Sequence, residues 1–243
     1  MMRLTRFGKT ELDVSVVSLG TWALGGDFFG EVDEKESIAA IQAAVDAGIN
    51  LIDTAPAYGA GYSEQIVGKA LVGRRDKVFI STKCGTVRAP DHYYQDLRPA
   101  SIRKQLEESL TYLKTDYIDL YLLHWPDPEV PIGETMEEIV RLKEAGYFRH
   151  FGVSNFNEEQ IEAIEAYLPV EAFQPQYSIL VREKKAIIDF AAAKDIGVMS
   201  YGPLAGGMLT GKFTAPPAFD EKDTRNDFYR SEEHTSELQS HHD

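Results

Sequence analysis

Two alternating patterns constrain this chain more than anything else in it. Short apolar runs, many β-branched, recur along its length: "VSVVSLG", "INLIDTA", "KVFISTK", "DYIDLYLLH", "FRHFGVS", "EAFQPQ" and "IGVMSYG". Compact runs of this kind suit parallel strands buried on both faces. Amphipathic stretches lie between them. "DEKESIAAIQAAVDAG" has acidic residues in its first turn and ends on glycine, as the polarity of helix ends favours. "RPASIRKQLEESLTYLKT" has Pro99 near its start and Ile102, Leu106, Leu110 and Leu113 at helical spacing. "GETMEEIVRLKEAG" and "NEEQIEAIEAYL" follow the same plan.

A long strand–helix series either closes into a barrel or winds around an open sheet. The first strand-to-helix junction, "GTWALGGDFFGEVDEK", lacks the GxGxxG turn that opens a dinucleotide-binding Rossmann unit. Seven units point instead to a (β/α)8 TIM barrel, an α/β fold of about 250 residues, here incomplete at its eighth unit. "RLTRFGKTELDVS" reads as a β-hairpin around Gly8 that caps one end of the barrel. The barrel is expected to occupy residues 1–229 as one domain. The closing "RSEEHTSELQSHHD", residues 230–243, is expected to be a disordered, non-native tail, since the string can be encoded by a short-read sequencing adapter.

Composition removes several function classes. A net charge of -14 argues against a nucleic-acid or anionic-membrane surface, which needs clustered Lys and Arg. The single cysteine, Cys84, forbids an intrachain disulfide and a multi-cysteine metal site. No run approaches the ~18 apolar residues of a membrane helix, and "MMRLTRFGKTELDV" has no signal-peptide core. These features predict a cytoplasmic protein with no nucleic-acid or membrane partner. No metal is expected, because His124 is the lone histidine among the strand ends and a metal site needs several ligands.

Active sites of parallel barrels lie at the C-terminal strand ends. Asp53 ends the second strand and Tyr58 follows it, Lys83 ends the third strand, and His124 ends the fourth. Neighbouring strands are ~4.8 Å apart, so Asp53 and Lys83 can pair with His124 one strand further on. A tyrosine alone is a weak acid near neutral pH. A nearby ammonium favours the phenolate and is expected to lower that pKa, while Asp53 supplies the counter-charge a buried ammonium needs. The set predicts a phenol acting as general acid, with His124 orienting a carbonyl oxygen beside it. Protonating a developing alkoxide pairs naturally with hydride delivery to the carbonyl carbon. Singly, each residue has an ordinary structural role as cap, rim aromatic or packed histidine. The constellation is far more specific than any member.

These residues and their spacing resemble the aldo-keto reductase superfamily. "GTWALGG", "IDTAPAYGAGYSEQIVGKAL", "LKTDYIDLYLLHWPDP", "FGVSNF" and "GPLAGGMLTGK" carry the likeness from Arg3 to about Asp227, and it is strongest to the bacterial branch with vegetative and inositol-cluster reductases. The resemblance implies a barrel that binds NADP(H) without a Rossmann domain and reduces aldehydes and ketones. It makes Tyr58 the proton donor, with Asp53, Lys83 and His124 completing the catalytic tetrad. Ser154, Asn155 and Gln174 match the groups that hold the nicotinamide carboxamide, although "SN" also reads as a helix cap. Tyr201 matches the aromatic stacked on the nicotinamide ring. Gly202, Pro203, Leu204, Ala205, Gly206 and Lys212 match the segment around the pyrophosphate. Thr21 and Trp22 match contacts at the first strand end, and Arg225 a basic residue near the phosphates. Trp22, Tyr58, His124 and Trp125 are the implied substrate contacts, with Phe28, Phe29 and the segment from His92 to Tyr94 on the same rim. The family's eighth strand, which carries much of the adenosine and 2′-phosphate site, has no counterpart in this sequence. Two further readings share these residues: a non-catalytic NADP(H)-binding regulatory subunit, and an inactive fragment.

Overall fold

The computed structural model describes residues 2–26, 31–89 and 92–213. Phe28, Phe29, Arg225 and the expected tail at 230–243 lie outside the described residues. The chain opens with a hairpin, β1 (Leu4–Arg6) and β2 (Asp13–Ser15), paired antiparallel. Its turn uses Gly8 at φ 52°, and a Cβ there would strike the backbone of Asp195 and Gly197.

The repeat then unfolds as the sequence predicts. The seven strands are β3 (Leu19–Gly20), β4 (Leu51–Asp53), β5 (Phe79–Cys84), β8 (Ile118–Leu123), β9 (Phe148–Ser154), β10 (Ala172–Gln174) and β11 (Gly197–Val198). They form one parallel sheet in the order β11-β10-β9-β8-β5-β4-β3. Between them run α1 (Glu34–Asp46), α2 (Tyr62–Ala70), α3 (Pro99–Leu113), α4 (Ile132–Glu144), α5 (Glu158–Glu165) and α6 (Lys185–Ala193). A second antiparallel hairpin, β6 (Thr86–Arg88) and β7 (Tyr93–Gln95), leaves the sheet directly after β5. Gly20 of β3 and Val198 of β11 line one cavity, so the sheet curls into the wall of a barrel. Among the described residues no strand joins its two edges.

Period-two alternation sorts the strand residues into two cores. Ile52, Ile80, Cys84, Tyr121, Val153 and Phe173 face outward and pack with helix residues such as Ile41, Ile102 and Ile139. Leu51, Leu120, Leu122, Ala172 and Met199 face inward and meet Phe7, Leu12 and Val14 of the hairpin. The hairpin therefore plugs one end of the barrel, as the sequence predicts. Lys9 N donates to Asp195 O, before β11 begins, and Asn50, just before β4, bonds Ser15 and Asp13. The plugged end is the N-terminal one, and the opposite mouth is left for the inward residues that end the strands. No helix among the described residues is long and apolar enough to cross a membrane.

Candidate active site

The same alternation that buries Leu51 inside the barrel brings Asp53 to the mouth, and the same step on β5 places Ser81 and Lys83 on the inner face. Lys83 is 0% exposed. A lysine is rarely buried this far without partners, and its ammonium has three N–H groups to place. All three are used: Nζ donates to Asp53 Oδ2 at 2.8 Å, to the Thr54 carbonyl oxygen at 2.8 Å and to the Tyr58 hydroxyl oxygen at 3.1 Å. Asp53 is held in turn, its Oδ1 accepting from Ser81 Oγ at 2.9 Å. Because Lys83 donates to Tyr58, the phenolic hydrogen remains available to the cavity.

Tyr58 sits on a short loop locked at both ends. Its N–H donates to Ala55 O, and its carbonyl accepts from Ser63 N at the start of α2. Ser63 Oγ donates to Thr21 O at 2.8 Å, and Thr21 Oγ1 donates to Asp53 O at 3.0 Å. Gly59, at φ 64°, backs against Gly25, where a Cβ on either would strike the other's backbone. This close approach seats the turn carrying Trp22 against the loop carrying Tyr58, with the two rings 6.4 Å apart.

Lys83 lowers the Tyr58 phenol as expected, but it does not decide the net shift. Burial pushes the phenol above its ordinary value, and the ammonium offsets this only in part. Before any reaction the acid form is therefore the stable one, and the ammonium acts by stabilising the phenolate once it forms. Lys83 lies above its own ordinary value: burial lowers it, but Asp53 and Tyr58 more than compensate. Burial, aided by Lys83, holds His124 well below its usual range. A neutral imidazole thus stands edge-on to Tyr58, ring centroids 5.9 Å apart at 79°. Cys84, next to Lys83 in sequence, faces the helices instead, and burial pushes its thiol to about 12. It is not a nucleophile.

These groups open onto a cavity of about 860 Å³. Of the residues singled out from the sequence, Trp22, Asp53, Tyr58, His124, Trp125, Ser154, Asn155, Gln174, Tyr201, Gly202, Pro203 and Gly206 line it. Tyr93 does so as well. Thr21 and Lys83 lie sealed beneath its floor, both 0% exposed. Leu204, Ala205 and Lys212 are not part of the lining: Leu204 and Lys212 are exposed, and Ala205 is buried. Sequence reasoning missed Gln176 and the pair Thr86–Gln95, which also line it.

The "SN" pair is not the helix cap. Asn157 caps α5, in a capping box with Gln160, while Ser154 and Asn155 line the cavity. Asn155 adopts φ 65°, a conformation in which Asn is enriched among non-glycine residues. Its Nδ2 donates to His124 O at 3.0 Å and to Ser154 Oγ at 2.9 Å, and its Oδ1 accepts from Tyr201 Oη at 2.9 Å. Beyond Tyr201, the chain turns at Gly202, Gly206 and Gly207, each with φ between 61° and 97°. Side-chain amides beside an aromatic ring fit a carboxamide-bearing ring, and a glycine-rich turn leaves room for close backbone approach by phosphates. The described residues therefore fit the nicotinamide and pyrophosphate end of a dinucleotide. None of the described residues lining the cavity is Lys or Arg.

The sequence profile of the aldo/keto reductase family matches residues 16–243. The chain belongs to the aldo/keto reductase family. It is 45% identical over 228 residues to the Bacillus subtilis aldo-keto reductase YhdN, an alignment covering 93% of this chain and 69% of that protein. To the Escherichia coli NADH-specific methylglyoxal reductase it is 38% identical, covering 88% and 71%. The structure of the glycerol dehydrogenase AKR11B4 from Gluconobacter oxydans matches at a TM-score of 0.85 and 38% identity, over 96% of this chain and 73% of that one. A Klebsiella pneumoniae aldo/keto reductase in complex with NADP and acetate matches at 0.71 and 32% identity, over 87% and 72%. This reductase is thus an oxidoreductase of the α/β-barrel class.

Proposed function

We propose that this aldo-keto reductase uses NADPH to reduce small aldehydes and ketones to alcohols, with Tyr58 as the proton donor. One observation carries the reading: a fully buried ammonium spends its three N–H groups on Asp53, Thr54 O and the Tyr58 hydroxyl. Bound NADPH supplies a hydride to the carbonyl carbon. The neutral His124 has an imidazole N–H with which to hold the carbonyl oxygen. As negative charge develops on that oxygen, Tyr58 Oη transfers its proton to it, and the alcohol is complete. The phenolate left behind is met at once by Lys83, already within hydrogen-bond distance, while Asp53 keeps the ammonium charged. Proton return from solvent to Tyr58 resets the site.

Cofactor binding follows from the same wall. Ser154, Asn155 and Gln174 present hydroxyl and amide groups to the carboxamide, Tyr201 presents its ring to the nicotinamide, and the turn from Gly202 to Gly206 receives the pyrophosphate. Trp22, Tyr93 and Trp125 give the substrate end an aromatic rim, which suits small carbonyls. Among the relatives, one is a methylglyoxal reductase and another a glycerol dehydrogenase, both small-molecule enzymes. The reading includes a cytoplasmic location, in keeping with a sequence whose one cysteine, Cys84, leaves no intrachain disulfide to form.

The test is NADPH oxidation against a panel of small aldehydes, 2-oxoaldehydes and ketones, with the alcohol product identified. Turnover on short carbonyls is expected. No turnover on any member, with NADPH binding intact, contradicts the proposal.

A further inference from the structure

Behind the wall of the site is a buried acid that the reductase chemistry leaves without a role. On β5, Lys83 points into the barrel and its neighbour Thr82 points outward, toward α2. Thr82 Oγ1 donates to Glu64 Oε1 at 2.7 Å. Glu64 is 0% exposed, and its Oε2 has no hydrogen-bond partner. Neither do Ser109 Oγ of α3 and Tyr121 Oη of β8. Glu64 also directly follows Ser63, the residue that ties the Tyr58 loop to Thr21. One side of its carboxyl group thus holds the strand of Lys83, and its backbone belongs to the turn that holds Tyr58.

Apolar packing would join a helix to a strand at lower cost than a buried carboxyl group with an empty oxygen, and such a group calls for an explanation. We propose that Glu64 is a positioning residue of the reductase: its carboxyl group fixes the Tyr58 loop against the Lys83 strand, and its charge state sets the field felt by Lys83. The inference rests on the function proposed above.

The groups around Glu64 are Thr82 and Lys83 of β5, Glu108 and Ser109 of α3, and Tyr121 of β8, which in turn reaches Cys84. Burial raises the Glu64 carboxyl; Thr82, Ser109 and Lys83 lower it, Glu108 raises it, and it comes to about 7. The Ser109 hydroxyl is near enough to contribute, though it does not meet hydrogen-bond geometry. Tyr58 and Lys83 lie above their ordinary values and His124 well below its own. Of these shifted groups, only Glu64 changes charge near neutrality. When Glu64 is neutral, the full charge of Lys83 supports the phenolate. When Glu64 ionises, it draws on that charge, and proton donation slows.

The test is the pH profile of kcat for NADPH-dependent reduction in the wild type, Glu64→Gln and Thr82→Val. A roughly three-fold fall in wild-type kcat is expected between about pH 6 and about pH 8, with KM steady. Glu64→Gln keeps one rate across that range. Thr82→Val, which removes a hydrogen bond to the carboxylate, moves the inflection to higher pH. Wild-type and Glu64→Gln profiles that superimpose, with only the unfolding midpoint lowered, make Glu64 a packing residue and overturn the proposal. Infrared spectra of the wild type decide the matter if the variants do not fold. A buried carboxyl band that disappears near pH 7 is expected, and its absence overturns the proposal. Lack of any wild-type turnover contradicts the proposed function instead, and the infrared titration still tests Glu64.

Discussion

Lys83 donates to the Tyr58 hydroxyl at 3.1 Å while Asp53 accepts from the same ammonium at 2.8 Å. The lysine is thus a bridge between the Asp53 carboxyl group and an anion that forms only during reaction. Lys83→Met removes the bridge and leaves the Asp53 carboxylate, with 10% of its side chain exposed, facing an apolar neighbour. Breaking a buried pair on one side costs about 3–5 kcal/mol. Urea unfolding is expected to show a loss of that order, together with a large fall in kcat.

The close approach of Gly59 to Gly25 sets the loop of Tyr58. Gly59→Ala asks for a Cβ at φ 64°, aimed at the Gly25 carbonyl oxygen. The expected destabilisation is about 1–3 kcal/mol, with kcat reduced because Tyr58 moves relative to Lys83. Thermal unfolding and steady-state kinetics on one preparation check both parts.

Tyr201 Oη donates to Asn155 Oδ1 at 2.9 Å, which fixes a proposed ring-stacking group to a proposed carboxamide-binding group. Tyr201→Phe keeps the ring and removes one hydrogen bond, worth about 0.5–1.5 kcal/mol. NADPH affinity measured by fluorescence quenching is expected to weaken by roughly 2- to 10-fold, with little change in kcat at saturating cofactor.

Two acids set opposite limbs of stability against pH. Glu64 is raised from 4.5 to about 7, so its stabilising contribution is complete below pH 4.5 and is lost as pH rises through 7. The loss is on the order of 3 kcal/mol. Glu171 runs the other way. Burial raises it, but hydrogen bonds from His150 and Lys143 overcome this and hold it at about 2, so its contribution is present above pH 4.5 and lost as pH falls through 2. Urea midpoints are expected to fall on both sides. Glu64→Gln flattens the neutral limb and Glu171→Gln the acid one.

The strands were legible because buried parallel strands are continuous apolar runs, and the clustering of Asp53, Tyr58, Lys83 and His124 because these polar residues end or directly follow those runs at a common rim. Each of the seven runs became a strand, and "RLTRFGKTELDVS" became the hairpin expected around Gly8. The hairpin at Thr86–Gln95 was not legible, because its pairing depends on a turn rather than on any apolar period. Thr86 and Gln95, joined through Thr86 Oγ1 and Gln95 Oε1 at 2.9 Å, were overlooked with it. Glu64 was hidden for a different reason. In "GYSEQIVGKAL" it looks like one more solvated helix residue, and glutamate is almost never fully buried. Only the packing of α2 on β5 and α3 reveals it. The direction of the Tyr58 shift was misread because proximity to Lys83 is visible in the spacing of strands, whereas the larger opposing effect, desolvation, is a property of the assembled wall.

The most direct test of the account is single-turnover hydride transfer, followed through cofactor absorbance, in the wild type and in Tyr58→Phe with a short aldehyde. The account predicts a rate lower by about 10²–10⁴-fold in the variant, with NADPH affinity within about two-fold of wild type. Equal single-turnover rates, with NADPH bound equally well, would contradict Tyr58 as the proton donor and with it the reading of the Asp53–Lys83 pair.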